Sequence, residues 1–140
     1  MLAGLGFKLS ILIAEDNAIN QKVMLLMLKK LGHHADVVAN GIEVLQALER
    51  RYDVVLMDIG MPEMDGLQAT KYIRYHWPAR EQPRIIAVTA YVRCNDREIC
   101  LDAGMDDFIS KPVRIEELKF TLQFVKRETP QDCLNAHRIH

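Results

Sequence analysis

A chain of 140 residues can close one domain around a proper core and is too short for two comfortable ones. Its 49% apolar content and net charge of −1 argue against the clustered basic surface of a nucleic-acid binder, and its apolar runs fall far short of a membrane span. Met1 to Gly6 is too short for an export signal, and Cys94, Cys100 and Cys133, odd in number and without paired metal spacing, read as reduced thiols of a cytoplasmic protein.

In chain order, Leu9 to Ala14 is predicted as a buried strand that ends in Glu15-Asp16-Asn17. Asn17 caps a helix running to about Leu31, with Ile19, Val23, Leu26 and Met27 as its inward stripe, and Gly32 closes it in the left-handed conformation. His34 to Val38 is a short second strand, and Asn40 caps a helix carrying Ile42, Leu45 and Leu48. Asp53 opens a third strand whose β-branched apolar run, buried on both faces, ends on Asp58. A loop punctuated by Gly60 and Pro62 leads to a third helix from Gly66 to about Tyr75, with Leu67, Thr70 and Ile73 inward. Trp77, Pro78 and Pro83 lie in a loop, and Arg84 to Val88 form a fourth strand ending at Thr89. Asp96 to Ala103 is a short helix stopped at Gly104, and Asp107-Phe108-Ile109 is a fifth strand before Lys111-Pro112. Ile115, Leu118, Leu122 and Val125 line a last helix, and from Thr129 the periodicity is lost.

Strand and helix thus alternate five times, the pattern of an α/β protein with a parallel sheet covered on both faces. Right-handed crossovers leave few topologies, and five strands suit the flavodoxin-like doubly wound order 2-1-3-4-5, with five helices. That order puts the first and third strands side by side at the switch point, so Glu15, Asp16 and Asp58 converge outside the strand ends. Three carboxylates in one pocket repel one another unless a cation sits among them, and oxygen donors with no His or Cys suit Mg²⁺ better than zinc. Asp58 beside a metal can attack phosphorus and become an aspartyl phosphate, with Lys111 and Thr89 supplying charge and a donor. Each residue alone has a plain explanation. Glu15 or Asp16 can favour a helix dipole, Thr89 can end a strand, and Lys111 can be a solvated charge. Five polar residues at one edge of four strands are better explained by a shared site.

These same residues mark response-regulator receiver domains, and the span from Leu9 to about Lys126 resembles one. The resemblance rests on Glu15-Asp16, Met57-Asp58, Met61-Pro62-Glu63-Met64-Asp65-Gly66, Thr89-Ala90 and Lys111-Pro112. It implies that Asp58 is the phosphoacceptor and that Asp16, Asp58 and the Gly60 carbonyl bind Mg²⁺, with Mn²⁺ as the alternative ion and Glu15 acting mainly through water. It further implies that Thr89 and Lys111 contact the phosphoryl group and that the Lys111-Pro112 bond is cis. By the same resemblance, Thr89 moves toward the new charge and Phe108 either turns inward as a switch or stays a plain core residue. The surface read by partners is then the fourth helix, fifth strand and fifth helix. Asn17 to Val23 and the Met61 to Gly66 stretch look most like receivers of hybrid sensor histidine kinases, which implies a histidine kinase or histidine phosphotransfer partner. Gly60 departs from the longer polar residue, frequently Gln, of many hybrid receivers, so the Gly60 and Tyr91 positions are expected to set the phosphoryl lifetime.

The expected domain covers residues 7–127, with 128–140 as tail or linker and no output domain after it. The chain is therefore either a single-domain regulator or part of a longer protein, whose parent can itself be a histidine kinase. Partners in nucleic acid or membrane are not expected, and the oligomeric state is left open. A phosphatase of the haloacid dehalogenase type also uses a strand-end Asp, but its second acid two residues on is here Gly60. A flavodoxin-like redox protein would need a phosphate loop where Glu15-Asp16 would repel the phosphate.

Overall fold

The computed structural model describes residues 9–90 and 96–125. Strands β1 (Ile11–Ala14), β2 (Ala35–Val38), β3 (Val54–Asp58), β4 (Arg84–Thr89) and β5 (Asp107–Ser110) pair in parallel in the order β2-β1-β3-β4-β5. Between and after them run α1 (Ala18–Lys30), α2 (Gly41–Ala47), α3 (Gly66–His76), α4 (Asp96–Ala103) and α5 (Ile115–Leu122), with a 3₁₀ turn at Ala79–Glu81. This is the doubly wound, flavodoxin-like sheet expected from the alternation of elements. None of the helices is long and apolar enough to cross a membrane among the described residues.

Side chains alternate across each strand, so one sequence fills two cores. Leu12, Ala14, Val55, Met57, Ile85 and Ala87 face α2 and α3 through Val44, Leu48, Ala69 and Ile73. Ile11, Ile13, Val54, Leu56, Ile86 and Val88 face α1 and α5 through Met24, Leu28, Leu118 and Leu122. Burying each such Leu or Ile stabilises the fold by about 1.5–3 kcal/mol, and that sum holds the sheet between its helices. Asp53 lies just before β3, where its carboxylate accepts the Ser10 amide at 2.7 Å and ties the starts of β1 and β3 together.

The helix starts follow the capping residues. Asn17 Oδ1 accepts the amides of Ile19 and Asn20 at 2.9 and 3.0 Å, Asn40 Oδ1 accepts that of Glu43 at 2.9 Å, and Asp65 Oδ1 that of Gln68 at 2.9 Å. Gly32 and Gly104 close α1 and α4 with φ of +88° and +108°.

Two inward stripes differ from expectation. On α1, Ile19, Val23 and Leu26 are exposed, at 72%, 42% and 61%, and the sheet is met instead by Met24 and Leu28. Both sides of that helix carry apolar residues, so spacing alone offered two faces; Met27 of the expected stripe is partly buried against the same core. On α2, Ile42 is exposed at 41% while Val44 and Leu48, four apart, face inward.

Candidate functional site

The carboxyl ends of the strands form one rim. Ala14 of β1 lies in register with Met57 of β3, Asp58 with Val88 of β4, and Thr89 with Ser110 of β5. Glu15, Asp58, Thr89 and Lys111 therefore stand at or one residue past these strand ends, along one edge of the sheet. Glu15 and Asp58 are 1% and 7% exposed, whereas Asp16 faces solvent. One ligand oxygen from each of the three lies within 4.8 Å of the others.

Lys111 enters this cluster from beyond β5. Its Nζ donates to Glu15 Oε1 at 2.7 Å and to Asp58 Oδ2 at 3.2 Å, and its amide donates to the Thr89 carbonyl at 2.8 Å. The Lys111-Pro112 bond is cis. Burial by itself would lower the Lys111 ammonium; the hydrogen bond to Glu15 and the charges of Asp58 and Glu15 outweigh it and hold it above the ordinary lysine value.

The loops around the acids are fixed by backbone. Asn17 donates its amide to Glu15 Oε2 at 3.0 Å, and Gln21 Nε2 donates to the Glu15 carbonyl at 2.5 Å. Gly60 donates its amide to Asp58 Oδ1 at 3.2 Å. Gly66 folds back so closely on the end of β3 that a Cβ there would run into the Asp58 carbonyl and lie 2.8 Å from Met57 Cγ. Between them Met64 donates to Pro62 O at 2.8 Å around Glu63, whose φ is +68°, a γ-turn in the loop that carries Gly60. The Met64 carbonyl accepts the Gly41 amide at 2.8 Å, which docks this loop on the start of α2.

One ammonium among three carboxylates leaves the cluster negative, and its donors are all oxygen. That combination fits a hard divalent cation of the Mg²⁺ kind. Of the residues singled out in the sequence, Glu15, Asp16, Asp58 and Lys111 meet at this point. Thr89 is buried at the end of β4, its carbonyl taken by Lys111. A Cβ at Gly60 would meet nothing within 4 Å. Phe108 is partly buried against the core under α2 and α3, and Tyr91 lies outside the described residues. Gln21 was not anticipated. Apolar periodicity passes over a polar residue in a first helical turn, and Gln21 entered the sequence reading only as part of the Asn17 to Val23 stretch, with no role of its own.

Residues 11–123 match the family model of the response regulator receiver domain. The hybrid signal transduction histidine kinase K of Dictyostelium discoideum is 39% identical over 134 residues, 91% of this chain and 11% of that protein. The chain thus spans a small part of that relative's length. Among solved structures, it is similar to the receiver domain of the sensor histidine kinase PA1611 from Pseudomonas aeruginosa, crystallised with a magnesium ion in its active-site cleft. That match has 43% identity and a TM-score of 0.76, and covers 85% of this chain and 98% of that one. It is also similar to the receiver domain of Ssk1 from Saccharomyces cerevisiae, solved with the histidine phosphotransfer protein Ypd1, at 28% identity and a TM-score of 0.76, covering 83% of this chain and 87% of that one.

Proposed function

The chain belongs to the response regulator receiver family, and from that membership we propose that Asp58 takes a phosphoryl group from a phosphohistidine within a phosphorelay. The observation that carries this reading is the meeting of Glu15, Asp16 and Asp58 with the Lys111 ammonium at one strand-end pocket. Asp16, Asp58 and the Gly60 carbonyl, with Glu15 through water, would hold Mg²⁺, or Mn²⁺ with the same donors, which would supply positive charge to the phosphoryl oxygens. A carboxylate oxygen of Asp58 attacks phosphorus; the P–N bond breaks as the P–O bond forms, and the released imidazole takes its proton from water. Lys111 shifts its ammonium from Asp58 Oδ2 onto a phosphoryl oxygen, and the Thr89 hydroxyl donates to another. Water attack on the aspartyl phosphate later returns the carboxylate and inorganic phosphate.

Thr89 and Phe108 carry the resulting switch to the surface of α4, β5 and α5. Gly60, with open space where a side chain would stand, and Tyr91 set the lifetime of the phosphoryl group. Gly60→Gln is accordingly expected to change the decay rate of the aspartyl phosphate, followed by mass spectrometry; equal rates would remove Gly60 from that role.

The donor is a histidine kinase or a histidine phosphotransfer protein, as in the yeast complex. It approaches over α1, which starts at the pocket rim and exposes Ile19, Val23 and Leu26. Hybrid histidine kinases among the relatives favour a segment of such a kinase over a stand-alone regulator, with residues 7–127 as the domain, 128–140 as tail or linker, and a cytoplasmic setting. A phosphatase reading lacks its second acid, because Gly60 occupies that place.

The test is incubation with acetyl phosphate and Mg²⁺. A hydroxylamine-sensitive gain of one phosphoryl mass is expected on Asp58, lost in Asp58→Asn and strongly reduced by chelation. Labelling that persists in Asp58→Asn would contradict the assignment.

A further inference from the structure

The three acids are not held alike. Glu15 is fixed by Lys111 and by the Asn17 amide, and Asp58 by Lys111 and the Gly60 amide. Asp16 makes no side-chain hydrogen bond among the described residues, yet its carboxylate stays within 4.8 Å of the other two. Its direction is therefore set by its backbone. On the amino side that backbone is the peptide unit joining Glu15 to Asp16, whose carbonyl accepts from Gln21 Nε2 at 2.5 Å and whose strand is held by the Glu15 amide on the Val38 carbonyl at 3.0 Å. Gln21 is partly buried in the first turns of α1 and reaches back six residues to make this contact.

We infer that Gln21 is a positioning residue for the divalent cation: by clamping the Glu15–Asp16 peptide unit it aims the Asp16 carboxylate at the pocket shared with Asp58. The inference rests on the reading of this cluster as a Mg²⁺ site. Mg²⁺ demands near-ideal octahedral placement of its oxygens, whereas Ca²⁺ tolerates irregular ligand sets, so an aiming residue matters more for the smaller ion. A residue that merely packed α1 would alter stability without separating the two ions.

The experiment titrates Mg²⁺ and, separately, Ca²⁺ into the parent chain, Gln21→Met and Gln21→Asn by calorimetry, with thermal unfolding of each metal-free protein alongside. Gln21→Met keeps the length and loses the donor; Gln21→Asn keeps an amide that is one methylene too short. In both variants the Mg²⁺ dissociation constant is expected to rise about tenfold, at the low end of what losing an outer support of a metal ligand costs. The Ca²⁺ constant is expected to move less than about threefold, with the metal-free melting temperature nearly unchanged. Equal Mg²⁺ constants in parent and variants, or equal losses for both ions, would overturn the inference, as would failure of both variants to fold. A parent that bound no Mg²⁺ would instead overturn the reading of the site itself.

Discussion

At the scale of single residues, Lys111 sets the balance of the pocket. Its ammonium sits where a cation would otherwise compensate Glu15 and Asp58. Lys111→Ala is therefore expected to tighten Mg²⁺ binding while slowing phosphorylation by about 10²–10³-fold, the usual cost of removing one preorganised partner of the transferring group. Titration calorimetry and mass spectrometry read the two effects separately. Looser Mg²⁺ binding would show that Lys111 helps the ion rather than competing with it. His33, between α1 and β2, behaves differently. Its Nδ1 is buried without a hydrogen-bond partner among the described residues, and burial lowers its pKa from the ordinary 6.5. The unfolded chain then takes up the proton more readily, so stability is fully present above 6.5 and is lost as pH falls through 6.5 toward the depressed folded value. In urea unfolding at about pH 7.5 and about pH 5.5, His33→Gln should lose less stability on acidification than the parent; parallel losses would count against the assignment. Asp58, Glu15, Asp16 and Lys111 were legible in the sequence because each follows an apolar run at a strand end. The contact of Gln21 was not, although the residue lies in the Asn17 to Val23 stretch, because it is one hydrogen bond to backbone.

At the scale of elements, α1 shows why periodicity finds a helix more easily than its buried face. Ile19, Val23 and Leu26 are spaced like a core stripe, as are Met24 and Leu28, and the second set is buried. Leu28→Ala is expected to cost about 2–5 kcal/mol and Leu26→Ala about 0.5 kcal/mol or less, by denaturant unfolding; the reverse order would put the helix the other way round. If α1 receives the phosphohistidine partner, Leu26→Ala should slow transfer from a phosphotransfer protein and leave labelling by acetyl phosphate unchanged. The end of the molecule remote from the pocket is closed by Arg74 of α3. Its guanidinium donates to Gly104 O at 2.8 Å, Gln82 Oε1 at 2.7 Å, Pro83 O at 3.0 Å and Asp106 Oδ2 at 2.8 Å. Asp106 Oδ2 in turn accepts the Ile85 amide at 2.8 Å, so α3, the turn after α4 and the start of β4 share one junction. A planar fork makes these bonds and an ammonium does not, so Arg74→Lys is expected to lose most of the roughly 2–3 kcal/mol that Arg74→Ala loses. Nothing in the sequence marked Arg74, since its partners lie in two other segments, one eight or nine residues on and the other some thirty residues on.

At the scale of the whole molecule, the order of the sheet could be read from the alternation of strand and helix and the handedness of crossovers, because few arrangements satisfy both. The placement of the site followed from the order: β1 beside β3 brings Glu15, Asp16 and Asp58 to one crevice. What could not be read was any contact fixed by loops, such as the γ-turn at Glu63 or the docking of Met64 on Gly41, where the geometry depends on neighbours that no local pattern encodes. The reactivity proposed for Asp58 depends on whether the acid cluster binds a divalent ion. Calorimetric titration of Mg²⁺ tests this most directly: one site per chain is expected, weakened by at least about tenfold in Asp16→Asn and in Asp58→Asn. Binding that is absent from the parent, or unaffected by removing either acid, would contradict it.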